Sequence, residues 1–147
     1  MIDFKHFTGE QLLEQESQTL EQMNTVAFSH DFLEKENILQ YLDHEHQIIC
    51  MYKDEDLVAF SWVLLCESAK AADLCWFVAH KDKVKGLESK LLLDKTLEFC
   101  KQHEITQVEF NCAPQSWGRL KDKKRLLRKF GYKLTEYEFN FDISIDI

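Results

Sequence analysis

The run Lys83-Val84-Lys85-Gly86-Leu87-Glu88-Ser89 holds the residues best suited to chemistry in this chain. It follows an apolar segment and opens a helical pattern. A helix start presents backbone N–H groups and the positive end of the helix dipole, and so suits a phosphate. Lys83 and Lys85 add charge, and Gly86 lets a ligand approach the backbone. Glu88 opposes this: a carboxylate there crowds the approach and repels phosphate unless it turns outward.

Four other groups carry weaker signals. His80 lies just past the preceding strand and titrates in a range suited to taking a proton from an amine, though a loop histidine equally suits a solvated surface. Glu109 and Asn111 alternate on a later strand, where they meet an acceptor or cofactor, or simply face solvent. His44-Glu45-His46 with Cys50 offers His-x-His spacing, but no second ligand pair has zinc spacing, so no metal is expected. Cys75 has no evident paired base and reads as a core thiol.

The elements that must position these residues follow from periodicity. Ile2 to Phe7 alternates as a short strand, and Thr8 with Gln11 forms a capping-box pattern. Leu12, Leu13, Leu20 and Met23 then recur at helical spacing, and a second helix follows Ser29 or Asp31. Gln47–Tyr52, Leu57–Cys66 and Leu74–Ala79 read as three antiparallel strands, the first two joined by a turn at Lys53-Asp54-Glu55-Asp56. Gly86–Glu104 is the strongest helix. Leu93, Leu97 and Cys100 form its stripe, widened by Leu87, Leu91, Leu92 and Phe99. Val108–Cys112 is a strand, parallel to its predecessor because a helix joins them. Trp117–Phe130 is a basic helix with Leu120, Leu126 and Leu127 inward, stopped by Gly131. Tyr132–Leu134 and Tyr137–Ile143 form a terminal hairpin. The order β-α-α-β-β-β-α-β-α-β-β predicts an α+β fold, a mixed sheet with helices on both faces.

Composition agrees with one domain over residues 1–147: 45% hydrophobic, 30% charged, with one proline and four glycines. No apolar run reaches membrane-spanning length, and the N-terminus lacks a signal-peptide pattern. Five scattered cysteines read as free thiols in a reducing, cytoplasmic setting. The net charge of −8 is uneven. Residues 1–49 carry ten acids and two bases, whereas 119–129 carry seven bases and one acid. The acidic part suits a cationic acceptor and the basic part a polyanion. Without interleaved aromatics the basic helix is a poor nucleic-acid motif, and a solvated face accounts for it.

The loop and its surroundings resemble the GNAT family of N-acyltransferases. That family's signature is Arg or Gln, two residues, Gly, one residue, then Gly or Ala. Lys83-Val84-Lys85-Gly86-Leu87-Glu88 falls in register with it, preceded by Val78 and followed by Ser89-Lys90-Leu91-Leu92. Arg125 to Leu134, with Phe130-Gly131-Tyr132, is similar to the family's last helix-to-strand junction. The resemblance covers roughly residues 47–143 and implies acetyl-CoA or another acyl-CoA as co-substrate.

By that resemblance the pyrophosphate lies on the loop from Lys83 through Val84, Lys85, Gly86, Leu87 and Glu88 to Ser89. The pantetheine arm pairs with the backbone of Phe77, Val78 and Ala79, and a nearby N–H polarises the acyl carbonyl. An amine acceptor, small molecule or protein, attacks directly, with His80 or Glu109 as proton acceptor. The chain departs from the pattern at Glu88, at Leu120 and Lys123 (often Asn and Ala), and at Leu127, where a tyrosine often protonates the leaving thiolate. Those departures support a second reading, a catalytically impaired GNAT-like module that binds CoA or a protein. Monomer and homodimer both fit.

Overall fold

The computed structural model describes residues 1–9, 11, 22–23, 46–80, 82–111, 120–137 and 140–145. The strands are β1 (Ile2–Thr8), β2 (His46–Lys53), β3 (Asp56–Cys66), β4 (Ala71–Ala79), β5 (Gln107–Asn111), β6 (Lys133–Glu136) and β7 (Asn140–Ser144). Helix α1 (Gly86–Gln102) links β4 to β5, and α2 (Leu120–Lys129) precedes β6. Most of the two expected N-terminal helices, and the start of the basic helix at Trp117, lie outside the described residues. Thr8 and Gln11 do form the expected reciprocal box: Thr8 N–H donates to Gln11 Oε1 at 2.9 Å, and Gln11 N–H to Thr8 Oγ1 at 3.2 Å.

The strands form one sheet in the order β1-β2-β3-β4-β5-β7-β6. Only β4 and β5 run parallel, as a helical crossover requires. The terminal hairpin is present, with β7 rather than β6 against β5. Asp54 and Glu55 both have positive φ, the condition for a two-residue hairpin turn, and that turn leaves Lys53 at the end of β2. Gly131, at φ +95°, terminates α2, and Tyr132 N–H returns to Leu127 O at 3.1 Å.

Alternation divides the sheet into two faces. One carries Ile48, Cys50, Phe60 and Trp62, packed with Met23 from the N-terminal helical region. The other carries Ile49, Met51, Ala59, Val63, Leu74 and Val108 and receives α1 through Leu92 and Cys100. Leu93 and Leu127 meet Phe141 and Ile143 on that second face. Inside it, Ser61 Oγ lies 2.7 Å from Thr96 Oγ1, and Thr96 Oγ1 donates to Leu92 O at 2.8 Å. Thr96 has one hydroxyl proton, so Ser61 is the donor in the first contact.

Three apolar side chains expected in the core are not there. Leu87 is 71%, Leu91 47% and Leu126 46% exposed. The buried stripe of α1 is Leu92, Leu93, Thr96 and Cys100, with Leu97 and Phe99 partly buried beside it, so the expected stripe stands and only its edge at Leu87 and Leu91 lies outside the contact. Among the described residues, no helix is long and apolar enough to cross a membrane.

Candidate functional site

A break in the sheet creates the site. Trp62 pairs with Trp76 and Val63 with Leu74, so Cys75 is an extra residue, a β-bulge in β4. A bulge bends its strand and increases its twist. Pairing with β5 stops at that point: the last partners are Leu74 and Phe110, while β4 continues beside β3 to Ala79. Beyond the bulge, the edge of β4 at Phe77, Val78 and Ala79 has no ladder partner on its β5 side among the described residues.

The loop after β4 is held by its own backbone. The carbonyl of His80 accepts N–H bonds from Lys83 (3.2 Å) and Val84 (3.0 Å), and Val84 is buried. His80 N–H donates to Val58 O at 2.8 Å, and its ring Nδ1 accepts Asp82 N–H at 3.2 Å. The imidazole thus organises the turn. Its neutral form carries the proton on Nε2, with Nδ1 already engaged.

Lys85 is the residue before α1, and the N–H groups of Glu88 (3.0 Å) and Ser89 (2.9 Å) return to its carbonyl. The N–H groups of Gly86 and Leu87 take no acceptor among the described residues. A Cβ added at Gly86 would meet nothing within 4 Å among the described residues.

Glu88 does not turn out to solvent. Its Oε1 accepts Lys85 N–H at 3.0 Å and its Oε2 lies 2.6 Å from Lys53 Nζ. Lys53 also donates to Lys83 O at 2.6 Å, tying the β2–β3 turn to the loop. The Lys53 contact first, and the Lys85 N–H second, hold the Glu88 carboxyl below the usual carboxylate range. Lys85 has no acceptor atom, so half a capping box forms.

On α1, Asp94 Oδ1 accepts the Tyr132 O–H, and Lys90 pairs with Asp94 Oδ2 at 2.7 Å while lying over the Tyr132 ring. Burial, then Asp94, pushes the Tyr132 hydroxyl well above its ordinary pKa. Leu127 packs among Leu93, Phe141 and Ile143.

Across the sheet from α1, Asp73, Glu109 and Asp142 stand in one register row on β4, β5 and β7. They share a face because direct cross-strand partners do. Asp142 is 8% exposed, and burial raises its carboxyl pKa, with Asp73 adding to the rise. The Tyr137 hydroxyl donates to Asp142 Oδ2 at 3.4 Å. The row ends one residue before β4 and β5 part at Leu74 and Phe110.

His46 is buried, and its Nδ1 accepts the indole N–H of Trp62 at 2.8 Å; His44 and Glu45 lie outside the described residues. Cys75 is the bulge residue. Sequence reasoning missed Lys53, the bulge and the acidic row. Lys53 was visible only as a turn flank, and the row needed the strand register.

No family model matches the chain, and no curated protein gives a significant sequence match. Solved structures do match. PaiA N-acetyltransferase from Thermoplasma acidophilum in complex with coenzyme A superposes with a TM-score of 0.70 at 15% identity, covering 99% of both chains. The ribosomal-protein-S18-alanine N-acetyltransferase from Escherichia coli gives 0.68 at 11% identity, over 97% of this chain and 90% of that one. The aminoglycoside 6′-N-acetyltransferase from Enterococcus faecium gives 0.66 at 10%, over 96% and 93%. The chain has the GNAT acetyltransferase fold.

Proposed function

We propose that this chain is an N-acyltransferase that moves an acetyl group, or a related acyl group, from its CoA thioester to a primary amine by direct attack in a ternary complex. One observation carries the reading: a strand edge that opens after the bulge at Cys75 is followed by a helix start whose Gly86 and Leu87 N–H groups have no acceptor among the described residues. Coenzyme A has matching parts in matching order. Its pantetheine amides suit the edge Phe77–Ala79, and its pyrophosphate suits the helix start beside Lys83 and Lys85. The lack of a side chain at Gly86 lets that group approach.

Asp73, Glu109 and Asp142 draw a cationic acceptor toward the point where the strands part. Glu109 is the proton acceptor in this reading, since His80 Nδ1 is committed to its turn. The amine must be neutral to attack. Its nitrogen bonds to the acyl carbon, the C–S bond breaks, and the amine proton passes to Glu109 directly or through water. A CoA thiolate is a good enough leaving group to depart without a dedicated acid, which fits Leu127, partly buried against Phe141 and Ile143. The free thiols suit a reducing, cytoplasmic setting.

The second reading, a CoA-binding or protein-binding module without catalysis, is favoured by Glu88 holding the Lys85 N–H. Isothermal titration with acetyl-CoA and a thiol-release assay over a panel of primary amines test both. Binding with thiol release is expected. Binding without release on any amine leaves the module reading, and no binding at millimolar acetyl-CoA overturns the acyl-CoA reading.

A further inference from the structure

Glu88 occupies donors that a bound phosphate would use. Its carboxylate bridges the Lys53 ammonium at 2.6 Å and the Lys85 N–H at 3.0 Å, next to the N–H groups of Gly86 and Leu87, which have no acceptor among the described residues. A carboxylate bound by an ammonium and a backbone N–H at a helix start stands where a phosphate oxygen is stabilised. Among the described residues, the loop and the turn tied to it carry Lys53, Lys83 and Lys85 against Glu88 and Asp82, with Lys90 already paired to Asp94. Two phosphates added beside an ionised Glu88 would meet like charge at short range.

From this we infer that Lys53 is a phosphate-binding residue of the loop and that Glu88 is its built-in competitor, so that a pyrophosphate-bearing ligand exchanges the Lys53–Glu88 pair for a Lys53–phosphate pair. As a statement about CoA this rests on the acyl-CoA reading; as a statement about anion exchange it stands on the loop geometry. Lys53 reaches the loop from β2, a different strand from the one that leads into the loop, and its bond to Lys83 O keeps it there when Glu88 releases it. Glu88 sits in the first turn with its side chain 24% exposed, so it has a route outward. The pair thus ties the loop to the β2–β3 turn without ligand.

The test is calorimetric titration of the full chain and its Glu88→Gln, Lys53→Met and double variants at fixed ionic strength. The ligands are CoA, inorganic pyrophosphate and S-acetyl-pantetheine, which lacks the pyrophosphate. Glu88→Gln is expected to tighten CoA and pyrophosphate about fivefold to tenfold and to leave S-acetyl-pantetheine unchanged. Adding Lys53→Met should remove most of that gain, a non-additivity that marks the two residues as coupled. Unchanged or weaker pyrophosphate affinity in Glu88→Gln, with only a fall in melting temperature, reduces Glu88 to a structural cap and overturns the inference. A full gain retained in the double variant overturns the role of Lys53. If pyrophosphate follows the expected pattern but CoA binds none of the four proteins, the exchange stands and the acyl-CoA reading falls.

Discussion

Leu74 and Phe110 are the last residues that join β4 to β5, and the bulge at Cys75 begins immediately after Leu74. The bulge redirects β4 while β3 still supports it, which opens the edge without dissolving the strand. Amides on that edge exchange with solvent unless a ligand supplies acceptors. Hydrogen exchange is therefore expected to show added protection within Phe77–Ala79 and at Gly86–Leu87 in the presence of acetyl-CoA, with β2 unchanged. Protection confined to other segments would contradict the placement of the cofactor.

The register of Asp73, Glu109 and Asp142 separates attraction from proton transfer. Asp142→Asn removes a charge from the row and is expected to raise KM for a cationic amine about tenfold, with kcat little changed. Glu109→Gln also removes the proposed proton acceptor. It should lower kcat by roughly a hundredfold. Equal effects of the two variants on kcat would reject a special role for Glu109.

The Ser61–Thr96–Leu92 chain is buried where α1 meets the sheet. Thr96→Val keeps the shape but leaves the Ser61 hydroxyl without its acceptor, at a cost of about 1–3 kcal/mol. Ser61→Ala removes only a donor and should cost less. Adding it to Thr96→Val should recover part of the loss, because the stranded hydroxyl is gone. Urea unfolding of the three variants measures this, and simple additivity would show that the hydroxyls do not communicate.

Cys75 sits at the bulge, so it invites a nucleophilic role. Burial first, and the Asp73 charge second, push its thiol from an ordinary 9.0 up to about 11. Near neutral pH this lowers the thiolate fraction about a hundredfold. Cys75→Ser should keep acetyl transfer, and iodoacetamide at pH 8 should label the exposed Cys66 well before Cys75. Rapid labelling of Cys75 with matching loss of activity would restore the nucleophile.

Local chemistry announced much of the fold. Strands β2 to β4 and the terminal hairpin were legible because alternating or continuous apolar residues leave few other conformations. Helix α1 was legible by its period, and Gly131 as a stop because positive φ there favours glycine. The bulge was not legible, because Leu74 to Ala79 is an unbroken apolar run in which an extra residue leaves no mark. The exposure of Leu87, Leu91 and Leu126 was equally hidden, since helical period defines a stripe but not which edge of it the sheet covers.

The sequence by itself determined the element order, the parallel crossover and the basic glycine loop at a helix start, because these depend on neighbours along the chain. Tertiary structure alone decided what Glu88 does. Its partner Lys53 arrives from another strand, and only sheet order and the β2–β3 turn bring them within 2.6 Å. The same holds for Asp73, Glu109 and Asp142, whose charges become one site through strand register. Long-range pairing sets the electrostatics of this loop and cleft, and spacing along the chain carries no record of it.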